Sequence, residues 1–342
     1  MAWKNISKGI EMWDKPCLGA VKPVEGKRFM ALCVEPRSKN PYRGLAREIT
    51  KSEGNPDVPG FIDESKLIIV ESRDALKWEK KKDLEIEGIN KVIQGLSGDD
   101  KYFIGLEDPD IYEESGVKHI YFTIAFKYKE KIGYAVYVGH AEGRSLETLR
   151  MTKPVLSPIK EFRGFKEVAI APINKKGYKM NLSEAQLVVN DDDFSVVVSA
   201  KASGMAGSWD YQKIVVDPRK MKYGWCKGEI SPCRILPREL VNPGKSLNAL
   251  IINGREPKKI VNGKKIYGKF RPGLALYNPE SGEIPWVDSK PLLEDPEATT
   301  ITFASEFVPA DSEHGILYAH VNDSFVRAYK ISYKAMRKRL PR

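Results

Sequence analysis

Five apolar segments of this 342-residue chain open on a polar or acidic residue and tend to close on proline. They are Ala46-Arg47-Glu48-Ile49, Leu106-Glu107-Asp108-Pro109-Asp110-Ile111 and Lys166-Glu167-Val168-Ala169-Ile170-Ala171-Pro172, followed by Ile230-Ser231-Pro232-Cys233-Arg234-Ile235-Leu236-Pro237 and Ser305-Glu306-Phe307-Val308-Pro309. Carboxyl groups brought close together do acid–base chemistry. Crowding raises one until it holds a proton near neutral pH, while its neighbour stays ionised. Asp108 is a candidate for such a role, because Glu107 precedes it and Pro109 restricts its backbone. Glu167, Glu229 and Glu306 are further carboxylates at strand openings, and Arg47 and Lys166 are cations placed to balance them or to hold hydroxyls.

The elements that would position these groups are strands. Segments such as Ile120-Tyr121-Phe122-Thr123-Ile124-Ala125-Phe126 and Phe194-Ser195-Val196-Val197-Val198-Ser199-Ala200 are rich in β-branched and aromatic residues and end in turn residues. Helical periodicity is confined to short pieces, chiefly the last ten residues. Taking Glu48, Asp108, Glu167, Ser231 and Glu306 as one repeated position, the separations are 60, 59, 64 and 75 residues. A unit of that length holds four strands, which is one blade of a β-propeller. The expectation is an all-β, five-bladed β-propeller of four-stranded blades around a central funnel. It occupies residues 1–342 as a single domain, with a short basic C-terminal helix or tail at about 330–342. Strand–turn–tryptophan segments recur around Trp78, Trp209 and Trp286, where a large ring would pack between blades.

The composition excludes several classes. Hydrophobic residues make up 42% and charged residues 30%, which fits a globular chain and not a disordered one. The net charge of +10 is spread over turns, with one dense run at Lys334-Ala335-Met336-Arg337-Lys338-Arg339, so nucleic-acid binding is not expected. Cys17, Cys33, Cys226 and Cys233 lack metal-ligand spacing and read as buried thiols. His119, His140, His314 and His320 are scattered along the chain, and neither a metal nor a cofactor is implied. No apolar stretch is long enough for a membrane span, and a cytoplasmic protein is expected.

The Gly105-Leu106-Glu107-Asp108-Pro109-Asp110-Ile111 segment resembles the Gly-x-Glu-Asp-Pro-Arg-Ile signature of glycoside hydrolase family 130, the β-mannoside phosphorylases and β-mannosidases. Phe165-Lys166-Glu167-Val168-Ala169-Ile170-Ala171-Pro172 sits where that family has a Lys-Asp-x-x-x-Phe-Pro strand, and Leu317-Tyr318-Ala319-His320-Val321-Asn322-Asp323-Ser324 resembles its last-blade Tyr-Tyr-Gly-Ala-Ala-Asp pattern. Asp110 stands where the signature has arginine. The resemblance implies a five-bladed propeller that acts on small, β-linked mannose-type oligosaccharides, with Asp108 as general acid and Asp323 as a sugar-binding aspartate.

Two acid assignments stay open. The wider clan of five-bladed glycosidases implies Glu167 as the acid, with Asp108 tuning it. Glu306 or Glu229 would activate water on the opposite face, giving inversion. Arg47, Glu48, Glu107, Lys166, Asn253 and His320 complete the set of candidate substrate-binding residues. The family's phosphate-binding arginine would fall near Met180-Asn181-Leu182-Ser183-Glu184 and its histidine near Ile251-Ile252-Asn253-Gly254, where neither is present. Hydrolysis is therefore the expected reaction, phosphorolysis the alternative, and a non-catalytic carbohydrate-binding propeller a third reading.

Overall fold

The computed structural model describes residues 2–23, 27–38, 40–55, 57–130, 133–189 and 192–341; Arg342 of the basic tail lies outside them. The described chain is all-β with two short helices. Strands β1 (Trp3–Ser7) and β2 (Ile10–Trp13) come first, followed by β3 (Arg28–Val34), β4 (Tyr42–Glu53), β5 (Ile62–Ser72) and β6 (Trp78–Asp83). Helix α1 (Ile89–Ser97) leads to β7 (Lys101–Glu114), β8 (Val117–Tyr128), β9 (Tyr134–Gly143) and β10 (Arg150–Met151). Then come β11 (Phe162–Ala169), β12 (Lys179–Val189), β13 (Asp192–Ala202) and β14 (Asp210–Val216). They are succeeded by β15 (Glu229–Ile235), β16 (Asn248–Arg255), the hairpin β17 (Lys259–Val261) and β18 (Lys264–Ile266), β19 (Phe270–Asn278) and β20 (Glu283–Val287). The last strands are β21 (Thr302–Pro309), β22 (His314–Val321) and β23 (Phe325–Ser332), capped by α2 (Tyr333–Arg339).

Strands β3 to β14 form one sheet, yet its antiparallel stretches meet only through single parallel pairs, Ser65 with Gly105 and Val136 with Gly164. Both contacts require glycine. A Cβ at Gly105 would lie 2.5 Å from the Ser65 carbonyl oxygen, and one at Gly164 would lie 2.3 Å from that of Val136. Strands β15, β16, β19 and β20 make a second sheet. In a third, β21, β22 and β23 are extended by β2 and β1 from the opposite end of the chain.

The period-2 alternation read from the sequence is real. Ile120, Phe122, Ile124 and Phe126 of β8 point into one core shared with Leu67, Ile69 and Ala141, and their neighbours Tyr121 and Ala125 face other clusters. Each such fully buried side chain contributes about 1.5–3 kcal/mol. Trp78 and Trp209 are buried as expected of blade-packing rings. Trp225 fills the space left by Gly254 and Gly273 and donates its indole N–H to the Asp288 carbonyl at 3.1 Å.

One irregularity recurs and positions the site. Register shifts occur in β3 at Met30/Cys33, in β7 at Glu107/Asp110, in β11 at Lys166/Val168, in β15 at Pro232/Arg234 and in β21 at Ala304/Glu306. At three of them the extra residue takes a left-handed backbone: Ala31 (φ 52°), Asp108 (φ 47°) and Glu167 (φ 45°). A bulge re-aims the side chain it carries, and this one turns Asp108 and Glu167 toward a shared cavity.

Candidate functional site

The cavity has a volume of about 290 Å³, and Asp108 and Glu167 both line it. Arg47 enters from β4 and is held by three partners. Its Nε donates to Ser65 Oγ at 3.0 Å, Nη2 to Glu107 Oε1 at 2.8 Å, and Nη1 to Asp108 Oδ1 at 3.3 Å. Ser65 Oγ in turn donates to the Leu106 carbonyl at 3.0 Å, so the guanidinium is fixed to the strand that carries both acids. Lys166 Nζ lies 3.6 Å from Glu184 Oε1, which also accepts a 2.5 Å hydrogen bond from Ser195 Oγ.

This setting drives the two acids apart. Burial alone would raise Asp108, but the charges of Arg47 and Lys166 and a hydrogen bond with Glu167 outweigh it, holding the carboxyl below its usual range. Burial also raises Glu167, and there the charge of Asp108 adds to it; Lys166 opposes only in part, so Glu167 stands well above the usual carboxylate range. Asp108 is thus the ionised member of a hydrogen-bonded pair and Glu167 the protonated one. Glu107 is raised as well, by burial first, against the pull of Arg47.

Further polar groups line the same cavity. Arg255 Nη1 binds Glu229 Oε2 at 2.9 Å, and its guanidinium stacks on Tyr267 at 4.1 Å and on Phe270 at 4.4 Å. The Ala31 backbone N–H donates to His320 Nδ1 at 3.3 Å, which leaves the ring proton on Nε2, 3.3 Å from Asp323 Oδ1. His320 also stacks on Phe303, with centroids 5.1 Å apart. Burial would raise Asp323, but the hydrogen bond with His320 and the charges of Arg47 and Arg255 hold it below its usual range. Its backbone is left-handed too, at φ 48°.

Eight of the residues singled out from sequence line the cavity: Arg47, Glu107, Asp108, Lys166, Glu167, Glu229, His320 and Asp323. Three do not. Glu48 lies on β4, the second strand of its sheet stretch, and its carboxylate binds Lys80 at 2.6 Å and Lys66 at 3.6 Å. The bulge of that stretch falls in β3, so the repeat position taken at Glu48 is displaced. Asn253 is fully buried and its side-chain amide clamps Ala304, Nδ2 donating to the Ala304 carbonyl at 2.9 Å and Oδ1 accepting the Ala304 N–H at 2.8 Å. Glu306, also fully buried, binds Arg234 Nη2 at 2.9 Å and accepts the Phe307 N–H at 2.7 Å. Arg234 stacks on Tyr112 at 4.3 Å and lies 3.8 Å from Asp110, so these groups form a buried ion cluster apart from the cavity.

Residues that the sequence reading passed over complete the lining. Glu184 ends the stretch searched for an arginine, and Arg255 stands one residue beyond the stretch searched for a histidine. Period-2 alternation from Asn253 puts Arg255 on the same face. Arg163 joins Arg47, Lys166 and Arg255 among the cavity cations, so positive charge is present although the two stretches searched for the family's arginine and histidine hold neither. The histidines are not all scattered either. His119 and His140 meet outside the cavity with Glu142 beside them, and their ligand atoms lie within 4.8 Å of one another. The four cysteines are free and buried. No helix among the described residues is long and apolar enough to cross a membrane.

No family model matches the chain, and no curated protein does. Solved structures are similar along nearly its whole length. The β-1,2-mannobiose phosphorylase of Listeria innocua has a TM-score of 0.68 at 13% identity, covering 97% of this chain and 99% of that one. A mannose phosphorylase from Leishmania mexicana, solved with a phosphate ion, has a TM-score of 0.57 at 13% identity over 93% and 88% of the two chains. A GDP-Man-dependent mannosyltransferase from the same organism has a TM-score of 0.55 at 12% identity over 91% and 87%. The fold is shared with these proteins, in keeping with the mannoside-family resemblance of the Glu107-Asp108-Pro109 segment.

Proposed function

We propose that the cavity cleaves the glycosidic bond of a short, β-linked mannose-type oligosaccharide, with water as nucleophile and inversion at the anomeric carbon. The described strands then group as five blades of one propeller domain around this cavity, four of them four-stranded and the last widened to five by β1, with the β17–β18 hairpin outside the blades. The recurrent bulges and the single-pair contacts within the large sheet support that grouping. The observation that carries the chemistry is the Asp108–Glu167 pair, whose members are pushed in opposite directions. Glu167 gives its proton to the glycosidic oxygen as the bond to the anomeric carbon breaks. Asp108 keeps that proton in place until then. Glu229, the strand-opening carboxylate that reaches the cavity, takes a proton from the water that attacks the opposite face. Asp323 and Arg47 accept from and donate to sugar hydroxyls. Solvent returns the proton to Glu167 and removes the one on Glu229.

Water is favoured because six carboxyl groups besides the protonated Glu167, and four guanidinium or ammonium groups, line the cavity among the described residues, a balance that disfavours a phosphate dianion. Phosphorolysis is the second reading, carried by the convergence of Arg47, Arg163, Lys166 and Arg255 on the same space. Manno-oligosaccharides incubated with and without inorganic phosphate separate the two. Reducing sugar released at a phosphate-independent rate, with inverted anomeric configuration by NMR, is the expected result. Sugar 1-phosphate formed only with phosphate establishes the second reading. Sugar binding without turnover on any glycoside would leave a carbohydrate-binding protein.

A further inference from the structure

His119 on β8 and His140 and Glu142 on β9 are cross-strand neighbours, with His119 paired directly to Glu142 in the register. His119 Nδ1 lies 3.1 Å from His140 Nε2 and 3.6 Å from Glu142 Oε2. Both rings are buried, while the Glu142 side chain is 42% exposed and opens the cluster to solvent.

Protons are scarce at this spot. The single proton of the Thr152 hydroxyl has the backbone carbonyls of His140 at 3.0 Å and Lys153 at 3.1 Å as acceptors, and with the proton on either of them the oxygen accepts at its 2.9 Å contact with His140 Nδ1. That places the His140 proton on Nδ1 and aims the Nε2 lone pair at His119. The same hydrogen bond is the outer-shell contact that fixes ring orientation in metal-ligating histidines. Two imidazole nitrogens and a carboxylate oxygen therefore converge with at most one proton among them.

We infer that His119 Nδ1, His140 Nε2 and a Glu142 carboxylate oxygen form a binding site for a divalent transition-metal ion of the Zn²⁺ class. Zn²⁺ holds imidazole nitrogen and carboxylate oxygen at about 2.0–2.2 Å in tetrahedral geometry, which sets its ligand atoms about 3.3–3.5 Å apart. The contacts of 3.1 and 3.6 Å bracket that edge. Binding releases the shared proton and tips the rings, now within 21° of parallel, toward Glu142. Water takes the fourth position on the exposed side. Lys179 opposes a cation here, but Glu114 binds it at 3.2 Å and offsets its charge. None of the three ligands lines the cavity, so the site stands whatever reaction the cavity performs.

The test is Zn²⁺ titration of the full chain by calorimetry, with metal content measured after dialysis and the Co²⁺ form followed by its visible absorption. The wild type should bind one Zn²⁺ per chain. His119→Gln and Glu142→Gln should each weaken binding by at least about tenfold, the loss that follows even from removing an outer-shell partner. Glu142→Gln alters a half-exposed side chain, so its result does not depend on how well the core tolerates change. A wild type that takes up no stoichiometric Zn²⁺ would overturn the inference. So would variants that bind as the wild type does, because the ion would then be held elsewhere, such as by His320 and Asp323.

Discussion

Replacing Asp108 by Asn removes the charge that keeps Glu167 protonated while leaving the local shape almost unaltered. Asn is at ease in the left-handed conformation that residue 108 adopts. Two unit charges ~4 Å apart at an effective dielectric of about 20 interact by about 4 kcal/mol, which is about three pKa units. Arg47 already neutralises part of the Asp108 charge. The expected fall in the Glu167 pKa is therefore about one to two units. The assay is kcat/KM against pH on an aryl β-mannoside or manno-oligosaccharide, where the alkaline limb reports the free enzyme's acid. That limb should move to lower pH by the same one to two units, with the plateau rate at low pH largely kept. A limb that stays in place refutes the coupling. A loss of about 10²–10⁴ at every pH would make Asp108 itself the proton donor.

Three further variants test the same geometry. Glu167→Gln should lower kcat/KM by about 10²–10⁴, with less loss on a substrate whose leaving group needs no proton. Because the folded-state pKa of Glu167 is raised, the folded form binds more protons than the unfolded one above about pH 4, and stability falls as pH rises. The same variant should then be more stable than the wild type by about 1 kcal/mol or more at neutral pH, with the gain gone at acid pH, as followed by thermal melts across pH. Arg234→Met leaves Glu306 and Asp110 buried without their cation and should cost about 3–5 kcal/mol in urea unfolding. Asn253→Ala breaks both hydrogen bonds to Ala304 and should cost about 2 kcal/mol with KM unchanged; a raised KM would return Asn253 to the substrate site.

The all-β class was legible from alternation because a strand's two faces differ in burial, as β8 displays. The convergence of Asp108 and Glu167 was legible because both stand at the same place in a repeat. The displacement at Glu48 has a plain cause: the bulge in β3 carries Met30, Ala31 and Leu32, which show no polar mark. Glu184 and Arg255 were missed because they reach the cavity from second strands by side-chain length, and the search followed strand openings. Glu306 and Asn253 show the opposite limit. Residue type announces a buried polar group but does not say whether its partner is a substrate, an arginine or a backbone amide. His119 and His140 are 21 residues apart, and only the register of β8 on β9 reveals them as neighbours.

The strand pairing that joins the two ends of the chain sets a clock on biosynthesis. Ile10 of β2 pairs with Ile331 of β23, about 320 residues later, and at roughly 5–20 residues per second that partner emerges some 15–60 s after β2. Throughout that interval the amphipathic hairpin of β1 and β2, with Trp3 and Trp13 packed edge to face at 5.6 Å, has an unclaimed hydrogen-bonding edge. Nascent chains on one polysome carry that same edge side by side, which makes this hairpin the place where neighbouring copies could exchange strands before either is finished.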